Sequence, residues 1–399
     1  MYGIFSTPDA SRPRSDRARP GYKIDNQILD LIIAHNLDVF HGIPLPSGIF
    51  ERDTLNDFIA LGKPVWTAIE ARLTELKTGL LPEFDAPIFQ EMLFVSLADA
   101  TLHLPVAIGD YTDFYAGIHH AENVGRIFRP SGEALLPNYR HLPVGYHGRA
   151  SSVVVSGTAI ARPNGQFLEG DQLTFGPTRA LDFELELGLI IGGENLMGQP
   201  VLVADAEAHI FGVVLVNDWS ARDVQRWEYQ PLGPFLGKNF ATSMSAWVLP
   251  FSALEPFRVG GPAQEAPLLP YLQDSRNSRF SITVQVSLND TVIGMGSDEY
   301  LYWSFAQLIA HHTVGGCNLR VGDLLATGTI SGSDPGTFGS LLETTRNGTQ
   351  PITLPDGTGR TFLPDGDRVT LRAWAGNGPK RIELGEVTGE IRAGFQPNP

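Results

Sequence analysis

Acidic and apolar residues alternate strictly between positions 181 and 187. Side chains two positions apart share one face of a β-strand, so this spacing predicts a strand with Asp182, Glu184 and Glu186 on one face. The opposite face carries Leu181, Phe183, Leu185 and Leu187. Neighbouring carboxylates repel each other, and a divalent cation would make the arrangement favourable. The alternative interpretation is an acidic face open to water, because antiparallel sheets often keep one face solvated.

Two further aspartates, Asp113 and Asp218, are candidates to complete a cation site with these residues. A ligand set made only of carboxylate oxygens suits Mg²⁺ or Ca²⁺, whereas zinc sites use Cys and His at short spacings. The sequence has one cysteine, Cys317, and no His-Glu-x-x-His motif, so the common zinc patterns are excluded. The prediction is a site for a hard divalent cation, with Mg²⁺ and Ca²⁺ both open.

The histidine pair His119 and His120 closely follows Asp110-Tyr-Thr-Asp-Phe-Tyr115 in the sequence. An imidazole near a metal-binding carboxylate could act as a general base, because histidine exchanges protons near neutral pH. A histidine in a Tyr- and Phe-rich segment is more often a structural hydrogen-bonding group. This segment alone leaves both interpretations open.

Two other segments have the composition of ligand-binding loops. Residues 217–238 place many polar side chains between an apolar strand and a Gly/Pro-rich turn. Gly328-Thr-Ile-Ser-Gly332 is a small-residue turn that could approach a ligand closely. Ser331 lies one position too late for a G-x-S-x-G nucleophile elbow, so we predict that it is structural.

The elements that must position these groups fall into two regions. Apolar spacing predicts helices in residues 27–37, 55–78 and 87–97, followed by a loop-like boundary near residues 104–110. Beyond about residue 105, short β-branched segments separated by Gly and Pro predict a β-rich region. Its predicted strands are 152–156, 185–191, 211–216, 280–288 and 369–374, and its clearest helix is 303–312. A small first domain and a larger second domain are therefore expected.

Composition and charge exclude several classes of protein. Of the 399 residues, 42% are hydrophobic and 18% are charged, which is typical of a folded globular chain. The net charge is −15 and Lys and Arg form no run of five, so nucleic acid is not an expected partner. No stretch of 18 apolar residues predicts a membrane span. We expect a cytoplasmic protein, because one cysteine cannot form an intrachain disulfide and no signal-peptide pattern occurs.

Several motifs together resemble the fumarylacetoacetate hydrolase family. They are Tyr2-Gly-Ile-Phe-Ser6, Asp110-Tyr-Thr-Asp-Phe-Tyr115 with His120, Leu142-Pro-Val-Gly-Tyr-His-Gly-Arg-Ala150, the Glu184/Glu186 strand, residues 217–238 and Gly328-Thr-Ile-Ser-Gly332. The resemblance implies a mainly β (α+β) fold, with a small SH3-like barrel in residues 1–105 and a large mixed β-roll or β-sandwich domain in residues 106–399. It also implies a homodimer.

The same resemblance implies an activity. The expected reaction is hydrolysis of the carbon–carbon bond of 4-fumarylacetoacetate, a small diketo acid, to fumarate and acetoacetate, the last step of tyrosine and phenylalanine degradation. The alternatives are a related enzyme acting on another oxo acid, since one fold hosts many reactions, and a non-catalytic protein with a structural Ca²⁺ ion.

The resemblance also implies roles for individual residues. The metal-site positions are Asp113, Glu184, Glu186 and Asp218, with Lys238 and Thr242 in the outer positions. The catalytic positions are His120 as the base, Glu343 as the carboxylate that orients it, Arg222 and Lys238. The substrate-contact positions are Tyr115, Arg129, Tyr146, Gln225, Tyr229 and Thr329.

Overall fold

The computed structural model describes residues 1–8 and 16–395, so residues 9–15 and 396–399 of the two predicted domains lie outside the description. The first 105 residues contain strands and helices. The strands are β1 (Tyr2–Ser6), β2 (Arg19–Ile24), β3 (Gln27–Asp30), β4 (Phe94–Ser96) and β5 (Thr101–His103). The helices are α1 (Leu31–Asn36), α2 (Asn56–Ile59), α3 (Lys63–Lys77) and α4 (Pro87–Leu93).

The remainder of the chain is dominated by strands. These are β6 (Tyr111–Phe114), β7 (Gly145–Gly148), β8 (Val153–Val155), β9 (Ile160–Ala161), β10 (Asn164–Glu169), β11 (Gln172–Pro177), β12 (Leu181–Asp182), β13 (Leu185–Ile191), β14 (Ile210–Asp218), β15 (Ser220–Ala221), β16 (Thr242–Met244), β17 (Trp247–Pro250), β18 (Arg258–Gly260), β19 (Ser278–Phe280), β20 (Ile282–Leu288), β21 (Thr291–Ser297), β22 (Leu324–Ala326), β23 (Ile352–Thr353), β24 (Gly359–Arg360), β25 (Arg368–Ala375) and β26 (Ile382–Arg392). The helices are α5 (Ile118–Phe128), α6 (Arg222–Glu228), α7 (Phe305–Thr313) and α8 (Leu341–Thr344).

One large mixed sheet runs through both regions of the chain. Its strand order is β4-β3-β2-β1-β17-β14-β13-β22-β6-β7. The N-terminal strands join the rest of the chain where Tyr2 and Gly3 pair antiparallel with Val248 and Trp247. A second sheet has the order β21-β20-β25-β26-β9. The prediction of a mainly β fold is therefore confirmed.

Strand β14 separates two hydrophobic cores. All nine of its residues are buried, which explains its continuous run of β-branched and apolar residues. Val213 and Leu215 pack in the core shared with the second sheet, which includes Leu371 of β25. Val214 and Val216 point the other way, into the core built with the N-terminal region. The end of β14 is therefore held rigidly from both sides.

The helix predicted for residues 27–37 begins later than expected. Residues 27–30 form β3, because they pair with β2. The carboxylate of Asp30 then accepts hydrogen bonds from the N–H groups of Ile32 and Ile33 and starts α1. Sheet pairing therefore overrides the helical spacing in the first turn.

The other two N-terminal helices are also confirmed in part. The helix predicted for 55–78 is divided into α2 and α3 at Gly62, whose φ of 83° an α-helix cannot contain. The helix predicted for 87–97 ends at Leu93, and the following β4 pairs with β3. The described strands of residues 1–105 do not close into a barrel, so the SH3-like barrel stays a prediction.

The predicted elements of the second region agree more closely with the structure. The strand predicted at 185–191 is β13, and the four other predicted strands overlap β8, β14, β20 and β25. Helix α7 begins at Phe305, because Ser304 caps it by accepting a hydrogen bond from the N–H of Gln307. Within the described residues, every helix is too short or too polar to cross a membrane.

Candidate active site and metal centre

Four acidic residues come together at the ends of neighbouring strands. Glu184 immediately precedes β13, Glu186 lies within β13, and Asp218 is the last residue of β14. β13 pairs antiparallel with β14 and with β22, and β22 pairs in parallel with β6, which carries Asp113. The sheet therefore brings together carboxylates that are far apart in sequence.

These four carboxylates form a compact buried cluster. One oxygen atom from each of Asp113, Glu184, Glu186 and Asp218 lies within 4.8 Å of all the others. None of the four residues is more than 5% exposed. The interpretation of a solvated acidic face is therefore wrong.

The electrostatics of the cluster are unfavourable for carboxylates alone. Burial raises the pKa of Asp113 and Glu186 well above their usual values, and repulsion from neighbouring carboxylates raises them further. Burial also acts on Glu184, but Lys238 and Arg222 outweigh it and lower the pKa of that carboxyl. Ionising both Asp113 and Glu186 is therefore unfavourable unless a bound cation offsets their charge.

The oxygen atoms of these two residues fit a hard divalent cation. Asp113 Oδ1 and both carboxylate oxygens of Glu186 are buried without a hydrogen-bond partner among residues 1–8 and 16–395. Buried carboxylates are normally hydrogen-bonded, paired or bound to a metal ion. Because every available donor is oxygen, the cluster is a candidate centre for a divalent ion of the Mg²⁺ or Ca²⁺ type.

The predicted outer residues Lys238 and Thr242 both contact the cluster. Lys238 Nζ donates hydrogen bonds to Glu184 Oε2 and, at 2.6 Å, to Asp218 Oδ2. Thr242 lies opposite Asp218 in the β14–β16 pair, and its hydroxyl donates to Asp218 Oδ1 at 2.9 Å. The hydroxyl of Tyr146 donates to Asp218 Oδ2 at 3.0 Å. These contacts fix the orientation of the Asp218 carboxylate.

The single strand predicted across the acidic segment is interrupted, which removes one acid from the cluster. β12 ends at Asp182 and β13 begins at Leu185, and the intervening Glu184 donates its N–H to Asn217 Oδ1 at 3.1 Å. The carbonyl oxygen of Glu184 accepts the N–H of Asp218 at 3.3 Å, so Glu184 stays paired with the end of β14. Asp182 lies outside the cluster and accepts a hydrogen bond from Arg222 Nε at 2.9 Å.

Arg222 bridges Asp182 and the cluster. Its Nη1 donates to Glu184 Oε1 at 2.6 Å and to Gln225 Oε1 at 3.2 Å. Burial opposes its charge, but Glu184 and Asp182 together raise the pKa of the guanidinium above its usual value. Arg222 Nη2 is buried and has no hydrogen-bond partner in the part of the chain that the structure describes.

His120 and Glu343 form a buried hydrogen-bonded pair. His120 Nδ1 lies 2.7 Å from Glu343 Oε2, and the two side chains are 3% and 0% exposed. The hydroxyls of Ser331 and Ser340 also donate to Glu343 Oε2, each at 2.8 Å. Asn123 Nδ2 donates to the other oxygen, Glu343 Oε1, at 2.9 Å. Four donors therefore hold this carboxylate in one orientation.

The charge of Glu343 is maintained by its partners. Burial acts to raise its pKa, but His120 and the hydrogen bonds from Asn123 and Ser340 lower it below the usual value. The carboxylate therefore remains ionised at neutral pH and can accept a hydrogen bond from the Nδ1–H group of His120. Tyr115 packs edge-on against the imidazole, with 5.3 Å between the ring centroids.

The loop that carries Thr329 also reaches this pair. A Cβ atom on Gly117 would lie 2.6 Å from the carbonyl oxygen of Thr329, so only glycine permits this approach at the start of α5. The Thr329 hydroxyl is buried without a hydrogen-bond partner among the described residues. Tyr115 therefore packs against His120, and the Thr329 backbone lies against Gly117, three residues before His120.

Arg129 and Tyr229 are less closely tied to the centre. Arg129 Nη2 donates to the carbonyl oxygen of Ala134 at 2.6 Å, which engages its guanidinium outside the cluster. Tyr229 follows α6 and is 42% exposed. Neither residue donates a hydrogen bond to the acidic cluster or to the His120–Glu343 pair within the described chain.

Sequence reasoning missed three partners of Glu343. Ser340 starts α8 by accepting a hydrogen bond from the N–H of Glu343, and the Ser-x-x-Glu spacing of these residues is a recognisable helix-start pattern. Ser331, predicted to be structural, donates directly to Glu343. No local pattern indicates Asn123, because its contact with Glu343 joins residues 220 positions apart.

Comparison with known proteins agrees with this geometry. The family model described as fumarylacetoacetate (FAA) hydrolase C-terminal matches residues 111–392, and the one described as fumarylacetoacetase N-terminal matches residues 2–105. The two matches together span nearly the whole chain and include all four acidic residues of the cluster.

Full-length relatives and a solved structure support the same assignment. The fumarylacetoacetase of Rattus norvegicus is 45% identical over 405 residues, covering 99% of this chain and 96% of the relative. That of Homo sapiens is 45% identical over 406 residues, covering 100% and 96%. The fold is similar to that of a fumarylacetoacetate hydrolase from Exiguobacterium antarcticum, with a TM-score of 0.53, 18% identity and coverage of 98% and 100%. The chain therefore belongs to the fumarylacetoacetate hydrolase family.

Proposed function

We propose that this chain is a hydrolase that cleaves the carbon–carbon bond of fumarylacetoacetate, giving fumarate and acetoacetate in the breakdown of tyrosine and phenylalanine. The observation that carries the proposal is the His120–Glu343 pair, buried in a chain that is 45% identical over its full length to named fumarylacetoacetases. A non-catalytic protein with a structural ion would have no need of this pair.

The acidic cluster is proposed to hold Mg²⁺ or Ca²⁺ through Asp113, Glu184, Glu186 and Asp218. The buried oxygens without partners on Asp113 and Glu186 support this proposal. When bound, a divalent cation supplies a Lewis acid that polarises the substrate's oxygen atoms and a template that orients them. Lys238 and Thr242 would act from outside the ligand set, by holding Asp218 in place.

His120 is proposed to be the general base. Because Glu343 accepts a hydrogen bond from the Nδ1–H group, Nδ1 keeps its proton and Nε2 is the nitrogen that can take a proton from water. The water oxygen attacks the carbonyl carbon of the fumaryl group, which becomes the new carboxyl carbon of fumarate, as its proton passes to Nε2. The carbon–carbon bond then breaks, its electron pair goes to the departing acetoacetate carbon, and the proton on Nε2 is returned to that carbon.

Cationic and amide groups are proposed to stabilise the negative charge that develops on the attacked oxygen. Lys238 and Arg222 are both buried beside Glu184, where charge interactions are strong because water is excluded. Gln225 lies within hydrogen-bonding distance of Arg222 and adds an amide donor. The free Nη2 of Arg222 supports this role, since it has donor capacity to spare among the described groups.

The remaining polar residues are proposed to bind the substrate. Tyr115 packs against the His120 ring, the Thr329 backbone lies against the start of the same helix, and the Tyr146 hydroxyl donates to Asp218, so each residue lies against one part of the proposed site. Arg129 and Tyr229 are proposed to contact the outer part of the substrate. A rearrangement would be needed for Arg129, whose guanidinium is engaged by backbone carbonyls.

The finer points of architecture also remain predictions. We propose domains at 1–105, with an SH3-like barrel, and at 106–399, with a β-roll, in a cytoplasmic homodimer. Two separate family models, matching residues 2–105 and 111–392, support the domain limits, and the single cysteine is in keeping with a reducing compartment. Sedimentation of the purified protein would test the dimer.

A direct assay tests the proposed reaction. The purified protein is incubated with fumarylacetoacetate in Mg²⁺ or Ca²⁺ and again after chelation, and the products are identified by chromatography. Metal-dependent formation of both fumarate and acetoacetate is expected. Glu186→Gln should lose this activity, whereas Glu83→Gln, at an exposed glutamate in the N-terminal region, should keep it. Metal binding without cleavage would overturn the substrate assignment and direct the search to other oxo acids.

A further inference from the structure

We infer that Asp182 is a positioning residue that fixes the His120–Glu343 pair relative to the acidic cluster. Asp182 contacts neither the cluster oxygens nor His120, so it would act through the residues it holds. This inference rests on the proposed function, since it assigns Asp182 a part in the same reaction.

The Asp182 carboxylate is fully buried and accepts hydrogen bonds at both oxygens. Oδ1 accepts from the N–H groups of Phe183 and Leu341, each at 2.8 Å. Oδ2 accepts from the N–H of Leu342 and from Arg222 Nε, each at 2.9 Å. Four donors from three separate segments of the chain therefore meet on one side chain.

Two of these donors belong to the helix that carries Glu343. Leu341 and Leu342 are the first residues of α8, whose total length is four residues. A helix this short is not stable by itself, so its position depends on external contacts. Asp182 supplies the acceptors for two of its first N–H groups, and Ser340 supplies the acceptor for the third, that of Glu343. Asp182 therefore helps to determine where the Glu343 carboxylate lies.

The fourth donor connects Asp182 to the acidic cluster. Arg222 uses Nε for Asp182 and Nη1 for Glu184, so one planar guanidinium holds the two carboxylates at a fixed separation. Phe183 is the residue between Asp182 and Glu184 along the chain. Asp182 therefore contacts the helix that carries Glu343 and, through Arg222, is held at a fixed distance from Glu184.

Asp182→Asn is the sharpest test, because it preserves the shape of the side chain. An amide has one oxygen acceptor and one NH₂ donor, so one side of the new group would face donors and lose its hydrogen bonds. The matched control is Asp367→Asn. Asp367 is also buried and binds an arginine, Arg360, but its other partner is Asn289 and it lies outside the site.

Three measurements separate positioning from general stability. For Asp182→Asn we expect kcat to fall by about 10-fold to 100-fold, the usual effect of losing a supporting contact, with little change in KM. Metal affinity measured by calorimetry should stay close to that of the unmodified protein, because Asp182 is not a ligand. Hydrogen exchange measured by mass spectrometry should increase in residues 339–345. Asp367→Asn should leave kcat and exchange in this segment unchanged.

The possible failures are distinguishable. If the unmodified protein does not cleave fumarylacetoacetate, the proposed function fails, while hydrogen exchange and metal affinity still test Asp182. Unchanged kcat or unchanged exchange at 339–345 in Asp182→Asn would overturn the inference. Equal losses in Asp367→Asn would also overturn it, because they would indicate general destabilisation. If Asp182→Asn does not fold, Asp182→Glu keeps the charge for Arg222 but is too long to retain both helix contacts, and the same changes are expected.

Discussion

His120 Nδ1 lies 2.7 Å from Glu343 Oε2, although 223 positions separate the two residues in the chain. The imidazole is carried by α5 and the carboxylate by α8, and these two helices contact each other. A carboxylate at Nδ1 fixes which ring nitrogen carries the proton and which way the ring faces. The pair therefore presents Nε2 in one orientation, which is the property that a general base requires.

Replacing His120 by alanine removes this base. We expect turnover to fall by at least about 100-fold, the scale of a lost general base. Metal affinity should not change, because the cluster uses carboxylates alone. Fumarate production and calorimetry measure the two quantities. His119→Ala is the control: His119 lies on the same helix as His120, but its ring packs against Tyr300, so most activity should remain. Near-normal turnover in His120→Ala would refute the assignment.

Glu343→Gln removes the negative charge that supports His120 while keeping the shape of the side chain. The glutamine oxygen can replace Oε2, and Asn123 can rotate its amide to accept from the new NH₂ group. We therefore expect kcat to fall about 10-fold to 100-fold, as for loss of a supporting carboxylate. The melting temperature should change little. A large loss of stability with unaltered kcat in the folded fraction would contradict this expectation.

Part of this site was accessible from the local sequence. The alternation of acidic and apolar residues correctly placed β13 and brought Glu184 and Glu186 to one face, because successive side chains of a strand point to opposite faces. The same pattern failed for Asp182. Asp182 lies outside the acidic cluster because it binds Arg222 and the first residues of α8, and the local spacing does not reveal these contacts.

Tertiary contacts explain the other differences from the sequence predictions. The resemblance to a known family indicated Glu343, but spacing could not, since its partner lies on a distant helix. In the N-terminal region, residues 27–30 have helical spacing and nevertheless form β3, because β2 offers a hydrogen-bonding edge. In both regions, contacts with residues elsewhere in the chain determined the structure that local spacing could not predict.

The metal-free protein should be stabilised by removing one of the repelling carboxylates. In Glu186→Gln, the buried oxygens without partners no longer carry charge, so in chelator we expect a higher melting temperature than in the unmodified protein. In excess Mg²⁺ or Ca²⁺ the order should reverse, because only the unmodified protein gains binding energy. Thermal melts under both conditions check this. A lower melting temperature for Glu186→Gln in chelator would contradict the electrostatic argument.

The same cluster predicts the direction of a pH effect. Burial and then Asp113 raise the pKa of Glu186, so the folded state takes up its proton at a higher pH than the unfolded state does. Stability of the metal-free protein should therefore increase as the pH falls toward the unfolded pKa, near the usual value for glutamate. Glu186→Gln should show a weaker increase in denaturant titrations. An equal pH dependence in both proteins would show that Glu186 does not contribute.

Asp298 offers a separate test outside the acidic cluster and the His120–Glu343 pair. Burial raises its pKa to about 6 from a usual value of 3.8, despite a hydrogen bond from the N–H of Phe280 and the nearby Arg279. Ionising it in the folded state is therefore costly. The difference of about two pKa units corresponds to roughly 3 kcal/mol of stability that is present below pH 4 and lost as the pH rises through 6.

Asp298→Asn removes this titration but keeps an oxygen for the N–H of Phe280. Arg279 has a pKa of about 10 and stays charged throughout this range, so the titration that the substitution removes is that of the Asp298 carboxyl. We therefore expect the free energy of unfolding of the variant, relative to the unmodified protein, to rise by roughly 3 kcal/mol between pH 4 and pH 7. Denaturant titrations in saturating metal ion measure it, since the acidic cluster is then neutralised in both proteins. A constant difference across this range would show that the Asp298 carboxyl is ionised normally.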